Sequence, residues 1–253
     1  MSLRQHHPLK GERDFVWRGE QPTRVEALSD MVFAFAVTLL VVSSDPPRSF
    51  PELTEQLWGF PGFAAAFAIL LIVWHAHYIF FRRYAIEDGY VTWINAGLLF
   101  LILFFVYPLK FLATMLSEFV HSLAMGAPRA PFTLDEARDT LTILSFAYAA
   151  VFFMFALLYG HARTKADSLA LTPYERASTR FAQWHQWVHV LIGASVVVFT
   201  NVTPPVVAPF GGFLYCLIGP LVYAAGAITM PRAKPGKTPP TAEQSPSASQ
   251  GPA

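Results

Sequence analysis

Residues 23–42 read TRVEALSDMVFAFAVTLLVV, and the placement of Asp30 within them decides what kind of protein this is. The twelve residues after Asp30 carry no charge. Thr23 and Glu26 have the T-x-x-E spacing of a capping box, directly after Pro22. With Thr23 as the cap, Ser29 and Asp30 lie inside the helix. With Ser29 as the helix start, Asp30 is an ordinary first-turn acid. In the first case the acid enters an apolar environment. A carboxylate deep in a bilayer costs about 2.5–3.5 kcal/mol, so it should face protein and be paired.

The rest of the chain supplies that environment. Of 253 residues, 54% are hydrophobic and 14% charged, against about 25% charged in an ordinary soluble domain. The apolar residues gather into six blocks, near 25–44, 58–81, 91–116, 140–160, 184–202 and 206–228. Each approaches or exceeds the ~20 residues a helix needs to cross a hydrocarbon core. In lipid a helix satisfies its own backbone groups, so the expected fold is all-α: a polytopic membrane protein of six transmembrane helices. The last two spans are separated only around Pro204-Pro205 and should form a tight hairpin.

Basic residues set the expected orientation. Arg4, Lys10, Arg13, Arg18 and Arg24 precede the first block, and Arg82 and Arg83 follow the second. Arg163, Lys165, Arg176 and Arg180 lie between the fourth and fifth, and Arg232, Lys234 and Lys237 follow the sixth. The opposite side holds only Arg48, Lys110, Arg129 and Arg138. The positive-inside rule puts both termini in the cytoplasm. The expected organisation is a polar N-terminal segment at 1–21, a six-helix unit at 22–230, and a Pro- and Ser-rich disordered tail at 231–253. The outside loop 121–138 should be irregular. The polar first 22 residues hold no signal-peptide core, and the single Cys216 permits no intrachain disulfide.

Helix geometry separates two faces of the first span. At 100° per residue, Arg24, Leu28, Met31, Phe35, Thr38 and Val42 fall within about 40° of one line. Asp30 lies roughly 120° from that stripe, with Ala27, Ala34 and Val37 nearby, where small alanines allow close packing. It should meet neighbouring helices there. The partners expected at matching depth are His77 of the second span and Trp93 and Asn95 of the third, with Arg24 snorkelling at the rim.

Other chemistry is sparse. His185 and His189 share a helix face at a metal-ligand spacing, but no acidic third ligand is evident. Trp184 and Trp187 beside them suggest an interfacial aromatic belt instead. Tyr148 reads most simply as a core or interface aromatic, and Gly211-Gly212 as a turn or close-packing site. No nucleophile–base pair or metal set lies within the spans, so an intramembrane enzyme is not expected. Nor is a metal, a cofactor or a nucleic-acid partner.

The motifs of the first three spans resemble those of a known family. Arg24-Val25-Glu26-Ala27-Leu28-Ser29-Asp30 is similar to the Arg-x-x-x-Phe-Ser-Asp signature of the transmembrane protein 175-like potassium channels, lysosomal in animals and also found in bacteria. Ala34 to Leu40 matches the A-x-x-x-T-L-L that follows it. Trp74 and His77 match a W-x-x-H, Trp93 and Asn95 a W-x-N, and Pro108 a later proline. The resemblance covers about residues 22–230 and implies one six-helix unit per chain. It implies a potassium channel of the cell membrane, assembled as a homotetramer. The first helix of each subunit would line the pore, at Met31, Phe35, Thr38 and Val42. Phe35 would hold the main constriction and Thr38 a hydroxyl ring. Leu28 stands where the signature has Phe, and Phe35 where the family has Ile or Leu. Arg24, Ser29, Asp30, His77, Trp93 and Asn95 would be scaffold rather than ion ligands. The alternatives are a secondary transporter, whose helices are often broken near the midplane, or a proton-permeable channel. Pro108 is a candidate break, without a counterpart in the second half.

Overall fold

The computed structural model describes residues 15–19, 21–42, 47–126 and 133–229. Among them every regular element is helical: α1 Arg24–Val42, α2 Phe50–Leu57, α3 Phe60–Tyr84, α4 Gly89–Ala124, α5 Leu134–Thr164 and α6 Pro173–Val202, then a 3₁₀ segment Ala208–Leu217 that runs into α7 Ile218–Thr229. Residues 1–14, the tail 231–253, Arg129 and the side chain of Val42 lie outside the described residues.

Local chemistry starts and stops these helices. Asp88 caps α4 by accepting from the Val91 N–H. Thr133 with Glu136 and Thr172 with Glu175 are complete capping boxes, the second followed by Pro173 at a position where proline fits. Ala85, at φ 48°, ends α3 in the left-handed region and donates to the Phe81 carbonyl.

Five stretches are long and apolar enough to cross a membrane: α3, α4, α5, α6 and the combined 208–229 segment. The six expected spans therefore become five by this measure. α1, with Arg24, Glu26 and Asp30 in its first two turns, is not among them. Three further expectations change. α4 runs unbroken through Pro108 for 36 residues, so that proline does not divide it. Helix covers both ends of the expected loop 121–138, up to Ala124 and again from Leu134. The last span changes character instead. Its first half holds Pro209, Gly211 and Gly212, poor α-helix formers, and winds as a 3₁₀ helix.

The helices form two packed groups joined by contact between α4 and α5. α1 lies on α3 and α4, while α6 lies on α5, the 3₁₀ segment and α7. Phe80, Phe81, Tyr84, Leu98, Phe155, Leu158 and Tyr159 fill the centre. The closest crossing is at Gly62, where a Cβ would strike the Ala113 carbonyl and where Ser117 Oγ accepts from the glycine N–H at 2.9 Å. Even the most buried apolar windows have only 33% of their residues inside the protein. So much outward apolar surface suits lipid rather than water.

Candidate functional site

α1 begins at Arg24. The Glu26 N–H donates to Thr23 Oγ1 at 3.1 Å and the Thr23 N–H to Glu26 Oε2 at 3.4 Å, so the capping box exists and Ser29 is interior. From this start Glu26, Ser29, Phe33, Ala36 and Leu40 fall on the buried side of α1. Their spacing of three and four residues is one helical stripe.

Ser29 carries the polar link. The His77 Nε2–H donates to Asn95 Oδ1 at 2.8 Å, and Asn95 Nδ2 donates to Ser29 Oγ at 2.9 Å. The Ser29 hydroxyl in turn donates to the Val25 carbonyl at 2.8 Å. All three side chains are buried. The chain of donors runs one way, from α3 through α4 into the backbone of α1. It fixes the tautomer of His77, whose Nδ1 has no partner and is shut in by Phe33 and Phe81.

Asp30 is placed differently from the sequence expectation. One residue beyond Ser29, it is turned by about 100° to the edge of the packed stripe. It is exposed on this chain and accepts from the indole N–H of Trp74 at 2.8 Å. Asp30, Ala34 and Val37 line a shallow groove against Phe67, Leu70, Leu71 and Trp74 of α3. Trp93 is also not where it was expected. It is 79% exposed, two residues and about 200° around α4 from the buried Asn95. Arg24 makes no hydrogen bond or ion pair among the described residues and is exposed.

The buried acid of α1 is Glu26, whose Oε1 meets Arg82 Nη2 at 3.0 Å. Arg82 also donates to the Gly19 carbonyl at 2.8 Å, and its own carbonyl accepts from Arg18 and Gly19. Arg18 continues the chain to α6, gripping both oxygens of Glu175 at 3.0 and 3.1 Å. Residues 15–19 thus form a strap across one end of the bundle, with Phe15 buried against Tyr84. Glu26 and Glu175 have the same double task. Each closes a capping box and receives an arginine from elsewhere. A T-x-x-E pattern reveals the first task but not the second. That is why the sequence reading left Glu26, Arg18, Arg82 and Glu175 out of the network.

The opposite face of α1 is uncovered. Leu28, Met31, Phe35 and Thr38 are exposed, Met31 at 63% and Phe35 at 54%. The Thr38 hydroxyl donates to the Ala34 carbonyl at 3.0 Å, which leaves its oxygen lone pairs facing outward. A helix with one face pinned by hydrogen bonds and the other bare and apolar is suited to meet copies of itself, a pore or lipid.

The chain is similar to several known proteins. A model of the family described as endosomal/lysosomal potassium channel TMEM175 matches residues 24–106, the stretch holding Ser29, His77 and Asn95. A protein of Marivirga tractuosa named a potassium channel is 33% identical over 235 residues, covering 87% of this chain and 93% of that one. A potassium channel of Chamaesiphon minutus is 29% identical over 163 residues, 60% of this chain and 71% of the relative. Among solved structures, the potassium channel MtTMEM175, crystallised as a threonine-to-alanine variant with a nanobody–MBP fusion, is 31% identical with a TM-score of 0.77. That match covers 86% of this chain and 97% of the other.

Proposed function

Because this chain belongs to the TMEM175 family of potassium channels, we propose that its first helix lines a potassium pore formed by several copies of the chain. The protein is a multi-pass membrane protein and a potassium channel, not an enzyme. In this reading α1 is a sixth span, both termini are cytoplasmic, and residues 22–230 form the channel unit. Four copies surround a central axis. The observation that carries the reading is the bare stripe of Leu28, Met31, Phe35 and Thr38 on a helix whose other side is hydrogen-bonded in place.

The chemistry of such a pore follows from its side chains. A ring of Phe35 phenyls is large, apolar and without hydrogen-bonding groups. A constriction of that kind gates by excluding water. Thr38, one turn further, spends its proton on the Ala34 carbonyl and offers only oxygen lone pairs inward. Oxygen dipoles directed at the axis favour a cation and repel an anion. Asp30 stays off the axis, held to Trp74, so no ring of fixed charge dominates the conduit. The buried Ser29–Asn95–His77 chain and the Glu26–Arg82 pair set the rotation of α1 that points Phe35 inward.

Potassium flux into liposomes holding the purified protein tests this directly. Wild type carries flux whose reversal potential follows the potassium gradient alone, and Phe35→Ala increases the rate. A reversal potential that moves with a second ion's gradient would indicate coupled transport. Unchanged flux in both Phe35→Ala and Phe35→Ile would remove Phe35 from the constriction.

A further inference from the structure

A second polar cluster lies in the other helix group, on α6. His185 and His189 stand one turn apart, and their Nε2 atoms are 3.4 Å from each other. Their ring centres are 4.6 Å apart, so the two nitrogens are turned toward each other. Two imidazole nitrogens on one tetrahedral zinc, each at about 2.0–2.1 Å, stand about 3.4 Å apart. Without an ion the same separation is bridged by a long hydrogen bond.

His189 is held as a ligand would need to be. Its ring stacks on Phe152 at 4.2 Å, within 12° of parallel. Its Nδ1 is hydrogen-bonded to the Tyr148 hydroxyl, and Tyr148 leans edge-on against Tyr215 at 5.2 Å. Tyr215 is tied by its hydroxyl to Ser145 at 2.9 Å. An outer partner on Nδ1 fixes the ring and determines which nitrogen keeps its lone pair.

We propose that His185 and His189 bind a divalent first-row transition ion, zinc foremost, through their two Nε2 atoms. Among the described residues no group of three His, Cys, Asp or Glu side chains surrounds a common point, so water completes the coordination. The proton balance closes within one ring. Without metal, the Tyr148 hydroxyl donates to His189 Nδ1 and the His189 Nε2–H donates to His185. With metal, the His189 proton resides on Nδ1 and is donated to the Tyr148 oxygen, which frees both Nε2 lone pairs. Arg180, exposed two turns into α6, donates to the Thr229 carbonyl. His185, five residues further and half-buried, lies about 7.5 Å along the helix from it.

The test uses the full chain in nanodiscs without a histidine tag, and with His6→Ala and His7→Ala to silence the N-terminal pair. Zinc is titrated in competition with a fluorescent chelator, and cobalt supplies the absorption spectrum. The expected result is one saturable zinc per chain and a zinc-dependent rise in melting temperature. His185→Gln and His189→Gln should each weaken binding by more than about 10-fold and abolish the zinc-dependent rise in melting, measured against each variant's own metal-free melting, and Tyr148→Phe should weaken binding by about 10-fold. No saturable binding would overturn the proposal. So would binding that survives the His185→Gln/His189→Gln double variant, since the ion would then sit elsewhere. Neither result depends on potassium conduction.

Discussion

Asn95→Leu removes two hydrogen bonds at one stroke, and their consequences are unequal. Asn95 is 2% exposed and joins His77 at 2.8 Å to Ser29 at 2.9 Å. Ser29 still donates to the Val25 carbonyl, so it loses only an incoming donor. His77 fares worse. Its Nδ1 already lacks a partner, and the substitution leaves Nε2–H bare as well, between Phe33 and Phe81. A stranded buried donor costs about 1–3 kcal/mol, and an ordinary lost bond about 0.5–1.5 kcal/mol. The sum is a destabilisation of about 1.5–4.5 kcal/mol. At about 2–4 °C per kcal/mol for a chain of this size, melting should fall by about 3–18 °C. Adding His77→Phe removes the stranded group and fills its volume with an apolar ring. The double variant should therefore melt above Asn95→Leu alone. Melting followed by size-exclusion chromatography in detergent reads this out. A double variant that melts at or below the single one would refute the reasoning, because His77 would then depend on something other than Asn95.

Glu26→Gln and Arg82→Gln should each destabilise by about 3–5 kcal/mol, since each leaves a buried charge unpaired, while the double variant should lose less than their sum in a double-mutant cycle. Asp30→Asn keeps an acceptor for Trp74 and should lower melting less than Asp30→Ala. Both changes should remain within about 1.5 kcal/mol and leave the potassium-to-sodium permeability ratio unchanged. At Asp88, partial desolvation by itself raises the carboxyl pKa, but the Val91 N–H, His161 and Lys165 outweigh it and hold it below the ordinary value. A depressed folded-state pKa adds stability that is present above the unfolded value of about 3.9 and is lost as pH falls through the lower, folded one. Melting temperature should thus fall more steeply below about pH 4 in wild type than in Asp88→Asn.

The all-helical fold is legible in the sequence because block length and apolarity record it directly. The capping box at Thr23 fixed where α1 begins, and hence which of its residues share a face. Rotation at the level of one residue was harder. Ser29 and Asp30 are adjacent, and the charge drew attention to Asp30, although Ser29 is the residue that turns into the bundle. Trp93 and Asn95 lie two apart on α4, and two residues of a helix separated by about 200° cannot both face α1. Glu26 was hidden by its own capping motif. Arg18 and Arg82 were hidden by the positive-inside count, which records charge and not partners. The 3₁₀ winding of 208–217 had a signal in Pro209 and Gly211-Gly212, one that marks weak α-helix without saying what replaces it.

The central claim is the direction in which the bare face of α1 points. Single cysteines at Met31, Phe35 and Thr38, and at Ala34 and Val37 on the groove toward α3, can be introduced in a Cys216→Ala background, since Cys216 is itself exposed. A membrane-impermeant thiol reagent is then applied while potassium current is recorded. The account predicts that modification at 31, 35 and 38 blocks current, while 34 and 37, turned from the conduit toward α3, leave it unchanged. Block from 34 and 37, with 31, 35 and 38 silent to the aqueous reagent, would turn α1 the other way and contradict the account.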